Sequence, residues 1–354
     1  MHHKNRGEHK GQKLARSSSW RNILSAFPGL RWLHEGLFES PGSWLFKRDT
    51  LAWLQRPDYV RQLPTPYQFF ARFCIAQDCE PVGAQLLLNT ITAGWRVTEL
   101  WPLSIDDRVV YLDLQDPRFL VIPSELHRWT KLFASFIGPG DSFLDIGANH
   151  GTCSVAAASL IGSSGKLIAV EPQPRLAAAV RLSLEKSGTS FEVHQLAFGD
   201  NESEADLFIP LASSGSAGLF EGASAISRHK SERVPIRRAD DVLKDRVLPG
   251  RVLMKLDIEG SELRFLRGAR NFVRQHQPSI LLELNPRSMH AAGVRHCDLI
   301  ETLIELGYEQ FLPAEKLHPP GLLRNQLDRP ATKQEDWIIL GRDYATRTLQ
   351  ASLD

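Results

Sequence analysis

The chain has 354 residues, 42% of them hydrophobic and 23% charged, with 25 Gly, 21 Pro and 4 Cys. That length can bury a large core, and no apolar run approaches the roughly 18 residues that span a bilayer, so no integral membrane segment is expected. Lys and Arg number 42 against 41 Asp and Glu, and the net charge of +1 argues against a wholesale nucleic-acid binder, which usually carries a strong basic excess.

The charge is uneven. Residues 1–21 hold six basic residues (Lys4, Arg6, Lys10, Lys13, Arg16, Arg21) and one acid, Glu8, giving +5 there and −4 elsewhere. This start lacks the apolar centre of a secretory signal and reads as a solvated tail, with a transit peptide as the weaker alternative. From Leu14 to Phe46, Trp and Leu alternate with breaks at Pro28, Gly29, Pro41 and Gly42, the pattern of a frayed amphipathic segment. Residues 49–95 repeat apolar side chains near period 3.6 and predict helices separated by prolines. Arg108–Leu114 and Arg118–Ile122 predict strands about a turn at Gln115-Asp116-Pro117, and Glu125–Ile137 predicts a helix.

After Gly140 a regular alternation begins. Ser142–Ile146, Lys166–Val170, Phe191–Leu196, Val252–Leu256 and Ser279–Leu284 predict short buried strands. Helices are expected after Gly151, from Pro174 to Ser187 and over Glu262–Phe272, with Tyr308–Leu312 and Trp337–Leu340 closing the sheet's edge. Such alternation predicts an α/β fold with a mostly parallel sheet covered on both faces. The expected organisation is a tail and amphipathic segment over 1–48, a helical N-terminal extension over 49–105, the main domain over 106–345 and a C-terminal tail over 346–354. The dispersed Cys74, Cys79, Cys153 and Cys297 form no CxxC pair and no zinc spacing, which fits inert thiols in a reducing, cytoplasmic setting.

In an open α/β sheet, ligands sit beyond the carboxyl ends of the strands. The first of these strands ends in Asp145-Ile146-Gly147-Ala148-Asn149-His150-Gly151, where Gly147 and Gly151 allow a tight turn and close approach to a ligand. The second ends in Glu171, 26 positions after Asp145, where a carboxylate can accept both hydroxyls of a ribose. The spacing D-x-G-x-x-x-G differs from the G-x-G-x-x-G of dinucleotide sites, and no GxxxxGK[ST] loop is present. An acid at the head of the loop suits a cationic ligand, which points to S-adenosylmethionine.

The runs FLDIGANHGTCSVAAA (143–158), AVEPQPRLAAAVRLSLEKSG (169–188), QLAFGDNESEADLFI (195–209), VPIRRADDVL (234–243), VLMKLDIEGSELRFLRGA (252–269) and SILLELNP (279–286) resemble the FkbM family of S-adenosylmethionine-dependent methyltransferases. The likeness covers roughly residues 110–343. It implies the class I methyltransferase (Rossmann-like) fold, a seven-stranded, mostly parallel sheet whose last strand runs antiparallel. It also implies methyl transfer to an oxygen, most often a hydroxyl of a sugar or specialised metabolite. By the same resemblance Asp145, Gly147 and Asn149 hold the methionine end of the donor, Glu171 its ribose, and Ala197 and Phe198 flank the adenine. The family more often has a small polar residue where Phe198 stands.

Independently of the resemblance, Asp257 ends the fourth strand, beside the first, and a strand-end acid between apolar residues needs a partner or a purpose. It is the expected base for a hydroxyl acceptor, with His150 and His194 as weaker alternatives. Ser261 is placed to cap the helix that follows, and Glu262 reads as an acid at a helix start. Glu283 and Asn285 end the fifth strand next to Asp257 and, with Glu259, are the expected acceptor contacts. A single magnesium ion at Asp257, Glu283 and Asn285 is the less favoured reading of the same cluster. Ala212–Ala225, eleven of whose fourteen residues are Ser, Gly or Ala, reads equally as a surface loop or as a lid over donor and acceptor.

The sequence thus predicts an O-methyltransferase for a small-molecule hydroxyl acceptor, with S-adenosylmethionine as cofactor, no metal and no nucleic-acid partner; self-association is left open. A nucleic-acid base methyltransferase would resemble [ND]-P-P-[YF] after strand four, where this chain has Asp257-Ile258-Glu259-Gly260. A non-catalytic donor-binding or assembly module of the same fold is the alternative.

Overall fold

The computed structural model describes residues 56–77, 88–90, 92, 97–210, 214–223, 229–314 and 334–342. The expected tail and amphipathic segment over 1–48, the tail over 346–354 and Cys79 lie outside the described residues.

Twelve strands are described. The chain opens its β structure with a hairpin of β1 (Trp101–Ile105) and β2 (Arg108–Leu112), paired from Trp101↔Leu112 to Ile105↔Arg108. Asp106 makes the turn at a left-handed φ of 55°. The main sheet consists of β3 (Ser142–Ile146), β4 (Lys166–Val170), β5 (Ser190–His194), β9 (Val252–Leu256), β10 (Ser279–Leu284), β11 (Phe311–Pro313) and β12 (Glu335–Ile339). Its order is β11-β12-β10-β9-β3-β4-β5. β12 runs antiparallel to both neighbours and the remaining pairs are parallel. This is the seven-stranded α/β sheet, antiparallel in one strand, that the resemblance implied.

All five residues of β3 are buried, and its parity sends side chains to two different layers. Phe143 packs on Phe133 of the helix Ile122–Phe133, ring centroids 5.0 Å apart, in the same cluster as the small residues Ala156, Ala157 and Ala158 of the helix Thr152–Ile161. Leu144 and Ile146 point to the other face, into a cluster with Leu256, Leu263 and Phe265. Alanines let that helix lie close to the strands, and Gly151 at its start lets it lie close to the next helix, Pro174–Leu184. A Cβ on Gly151 would come 3.1 Å from Val180 Cγ2, and its φ is +78°.

Arg118–Ile122 is not a strand. Asp116 Oδ1 accepts from Arg118 N at 2.9 Å and Pro117 fits a first helical turn, so Pro117–Leu120 forms a 3-10 helix that leads into Ile122–Phe133. The helix expected over Glu262–Phe272 breaks at Ala269 into Glu262–Gly268 and Arg270–His276. A second, three-stranded sheet was not anticipated: β6 (Ala197–Phe198), β8 (His229–Arg237) and β7 (Ser203–Pro210), in that order. Its inner face buries Leu207, Ile209, Val234 and Ile236 at every second position.

Within the stretch expected to be helical, Pro57–Arg61 and Thr65–Gln77 are helices. They join the main core through Phe119, which receives the Tyr67 ring edge-on at 5.9 Å and whose carbonyl accepts from Tyr59 Oη. Among the described residues, no helix is long and apolar enough to cross a membrane.

Candidate active site

The register Asp145↔Lys255 and Ile146↔Leu256 makes the loops after β3 and β9 leave the sheet side by side. Gly147, at φ +84°, is where they touch: a Cβ there would lie 2.0 Å from Asp257 O and 3.0 Å from Ile258 Cγ2. The clearance this glycine provides is therefore between two loops of the protein, not in the first instance between loop and ligand. Asn149 follows at φ 51°; its Oδ1 meets His150 Nδ1 at 2.7 Å and its Nδ2 donates to Ser214 Oγ at 3.2 Å.

Three charges share this meeting point. Asp145 is fully buried; its Oδ2 accepts from Ser154 Oγ at 2.6 Å, while Oδ1 has no hydrogen bond. Burial raises its pKa, against the pull of Lys255 and Ser154. Lys255 has a side chain only 10% exposed, and its ammonium lies 2.9 Å from Asp257 Oδ2 and 4.0 Å from Asp145 Oδ1. It also donates to Gly147 O at 3.3 Å. Burial opposes its charge, but Asp257, Cys153 and Asp145 outweigh that and raise its pKa. Asp257 is 27% exposed at the side chain. Burial would raise its pKa, yet Lys255, a hydrogen bond from Glu283 and the nearby Arg118 together hold it below the usual carboxylate range.

Lys255 falls within the run VLMKLDIEGSELRFLRGA and has no expected role from the sequence. The available signal was strand parity: Leu253 faces the layer that Phe143 faces, so Lys255 must point the same way, to the Asp145 side.

Glu283 comes next to Asp257, and Asp257, Glu259 and Glu283 offer oxygens that all lie within 4.8 Å of one another. Burial, then Asp257 and Glu259, push the Glu283 carboxyl well up, and Gln334 Nε2 donates to its Oε1. Glu259 takes a left-handed φ of 49°, and its Oε2 accepts from Asn285 Nδ2 at 3.0 Å and Ser288 Oγ at 2.6 Å. Burial and Asp257 raise it to about 8. Asn285 Oδ1 meanwhile accepts from Arg287 N at 3.2 Å, capping the helix Pro286–Ala291. The four residues expected here do converge, with Glu259 and Asn285 bound to each other. Three oxygens so arranged are ligands of the kind magnesium takes, but Lys255 already supplies a positive charge at Asp257.

Ser261 makes no cap: its hydroxyl, buried, has no partner. Glu262 fixes the turn instead, its Oε1 accepting from Ile258 N and Gly260 N, both at 3.1 Å. Burial raises Glu262 to about 7 against those hydrogen bonds.

Glu171, 3% exposed, ends β4 with Oε2 accepting from Asn149 N at 2.8 Å and Oε1 from Gln173 N at 2.9 Å. Burial lifts it to about 7 although both amides favour its charge. Each oxygen retains a second lone pair for a hydroxyl. Ala197 and Phe198 form β6, whose backbone pairs with β8, and the Phe198 ring packs into the core, tilted at 5.7 Å from Phe265.

A further wall was missed in the sequence. Arg118 in the 3-10 helix donates to Glu125 Oε1 at 3.1 Å and is close enough to feel Asp257 and Glu283. His150 is buried, its Nε2 is without a hydrogen bond, and burial lowers its pKa, favouring the uncharged ring. Ser214 N donates to Asp116 Oδ2 at 2.9 Å. Within the Ser/Gly/Ala-rich stretch, the described residues 214–223 are packed: Gly218 bridges to Phe208, Leu219 rests on the β7–β8 cluster, and the Phe220 ring lies 4.9 Å from the Arg264 guanidinium.

The family description "Methyltransferase FkbM domain" matches residues 145–309. No curated protein matches the chain. Solved structures similar to it include methyltransferase FkbM from Methylobacillus flagellatus KT, 16% identical over 79% of this chain and 72% of that one, TM-score 0.35. Precorrin-6y C5,15-methyltransferase from Geobacter metallireducens GS-15 is 14% identical over 60% of this chain and 86% of that one, TM-score 0.32. An S-adenosylmethionine-dependent O-methyltransferase from Thermotoga maritima is 13% identical over 60% and 63%, TM-score 0.31.

Proposed function

Because residues 145–309 constitute an FkbM methyltransferase domain, we propose that the chain is an S-adenosylmethionine-dependent O-methyltransferase that acts on a hydroxyl of a small molecule, a sugar or specialised metabolite. The observation that carries this reading is the paired loops after β3 and β9, where Asp145 and Asp257 flank a glycine contact and Asp145 Oδ1 accepts no hydrogen bond. That arrangement fits a cationic methyl donor, whose sulfonium supplies an electrophilic methyl group.

In this reading Asp145, Gly147, Asn149 and Gly151 shape the methionine end of the site. Glu171 accepts the ribose hydroxyls with its remaining lone pairs, and Ala197 and Phe198 border the adenine. Glu259, Glu283 and Asn285 form the acceptor side. Asp257 is the catalytic residue, and its low pKa decides how it works. A carboxylate held down by Lys255 is a weak base towards a neutral alcohol. It can accept the hydroxyl's hydrogen bond and orient the oxygen, then take the proton as the oxygen becomes positive during transfer. Residues 106–345 form the catalytic domain, the setting is cytoplasmic, and neither a metal nor a nucleic acid takes part.

Titration calorimetry tests the donor assignment: S-adenosylmethionine and its demethylated product bind, and NAD does not. Binding of NAD with the methyl donor ignored would overturn it. Labelled methyl transfer into an extract of small molecules, with identification of the product, tests the acceptor. Donor binding with no transfer to any acceptor would favour the non-catalytic module.

A further inference from the structure

We propose that Lys255 sets how strongly this site prefers the charged methyl donor over its neutral demethylated product, an inference that rests on the reading above. The geometry is specific. Lys255 stands opposite Asp145 in the β3–β9 register, and its ammonium reaches Asp257 Oδ2 at 2.9 Å, Gly147 O at 3.3 Å and Asp145 Oδ1 at 4.0 Å. It thus sits among the same acids and carbonyl that border the donor in that reading.

The donor and its product differ by one positive charge at sulfur. With Asp145 and Asp257 ionised and Lys255 protonated, the two loops carry one net negative charge; without the lysine they would carry two. In a partly dry site one unit of charge changes the affinity of a nearby cation by about tenfold. Positive charge leaves the sulfur as the methyl is transferred. A more negative site would therefore stabilise bound donor more than the transition state, strengthening donor binding while slowing the chemistry. Lys255 tempers that field, and it does so on the strand itself, where the side chain is fixed by burial.

The test needs only two defined ligands. S-Adenosylmethionine and S-adenosylhomocysteine are titrated into the full chain by calorimetry, and the ratio of their affinities is compared among variants. Lys255→Met should raise the ratio in favour of the donor by about tenfold. Asp257→Asn, which brings the two loops to zero net charge, should lower it by a similar factor. The double variant K255M/D257N should return to within about twofold of the unaltered chain, since its net charge is restored. If Lys255→Met does not fold, Asp257→Asn and the double variant still decide. A ratio indifferent to all these changes, or shifted in one direction by both single variants, refutes the inference alone. An unaltered chain that binds neither ligand refutes the methyltransferase reading and the inference with it.

Discussion

The backbone carbonyl of Asp257 lies 2.0 Å from where the Cβ of an alanine at position 147 would stand. The loop after β3 and the loop bearing the proposed base are thus held at a separation that only glycine permits, and disturbing one disturbs the other.

Gly147→Ala should therefore act on stability before it acts on binding. The new methyl must push the β9 loop away and must also adopt a φ of +84°, a combined cost of about 3 kcal/mol or more. Gly188→Ala is the control: it has a comparable φ of +72° but nothing within 4 Å of the added carbon, and should cost only about 1–2 kcal/mol. Urea unfolding of both variants measures the difference. Equal losses would show that conformation alone, not the contact with Asp257, makes position 147 a glycine.

Asp257→Asn should keep the fold, because the side chain is partly exposed and the amide can still meet Lys255 through its oxygen. Binding of the neutral product should be nearly unchanged, and turnover on a hydroxyl acceptor should fall by about 10²–10⁴-fold, more than the weakened donor binding accounts for. Single-turnover rates at saturating donor separate the two effects. Full activity in the variant would mean that another group takes the proton.

Buried carboxyls give the stability a defined pH dependence. Glu171 and Glu262 are raised from 4.5 to about 7, and Glu259 from 4.5 to about 8. Between the unfolded and folded values the native state binds more protons than the unfolded chain, so stability falls as pH rises. The contribution of these groups is complete below about pH 4.5 and is lost through pH 7 to 8. Thermal unfolding between pH 5 and 8 should show that decline. Glu262→Gln, which keeps an oxygen for the amides of Ile258 and Gly260, should flatten it. A steeper decline in this variant would contradict the assignment.

The central parallel strands β3, β4, β9 and β10 were readable because each is a short, mostly apolar run ending at a turn, whereas β5, with Glu192 and His194 and no buried residue, shows that pattern least. The loops proposed to bind the donor were readable because they lie at the carboxyl ends of those runs. Arg118–Ile122 shows where the pattern fails. Its apolar content suits a strand, but Asp116 and Pro117 provide a capped first turn, and a side chain two residues upstream outweighs the run itself. Residues 203–210 and 229–237 escaped because their outer faces carry Glu204, Asp206 and Arg233, which pair across the hairpin and mask the buried alternation. Lys255 escaped for the opposite reason. It lies in a strand buried at every position, where a charge looks like an exception until the facing residue in the neighbouring strand is known.

Asp116 holds Arg118 N with one carboxylate oxygen and Ser214 N, 98 residues further along, with the other. A substitution at this one position is accordingly a change at two places, at the start of the 3-10 helix and in the connection between β7 and β8. No single second-site replacement near either partner can repair both losses. The position should therefore be far less tolerant of exchange than its place in a short connecting turn would suggest, and tolerance scanning should place Asp116 well below its exposed neighbour Gln115.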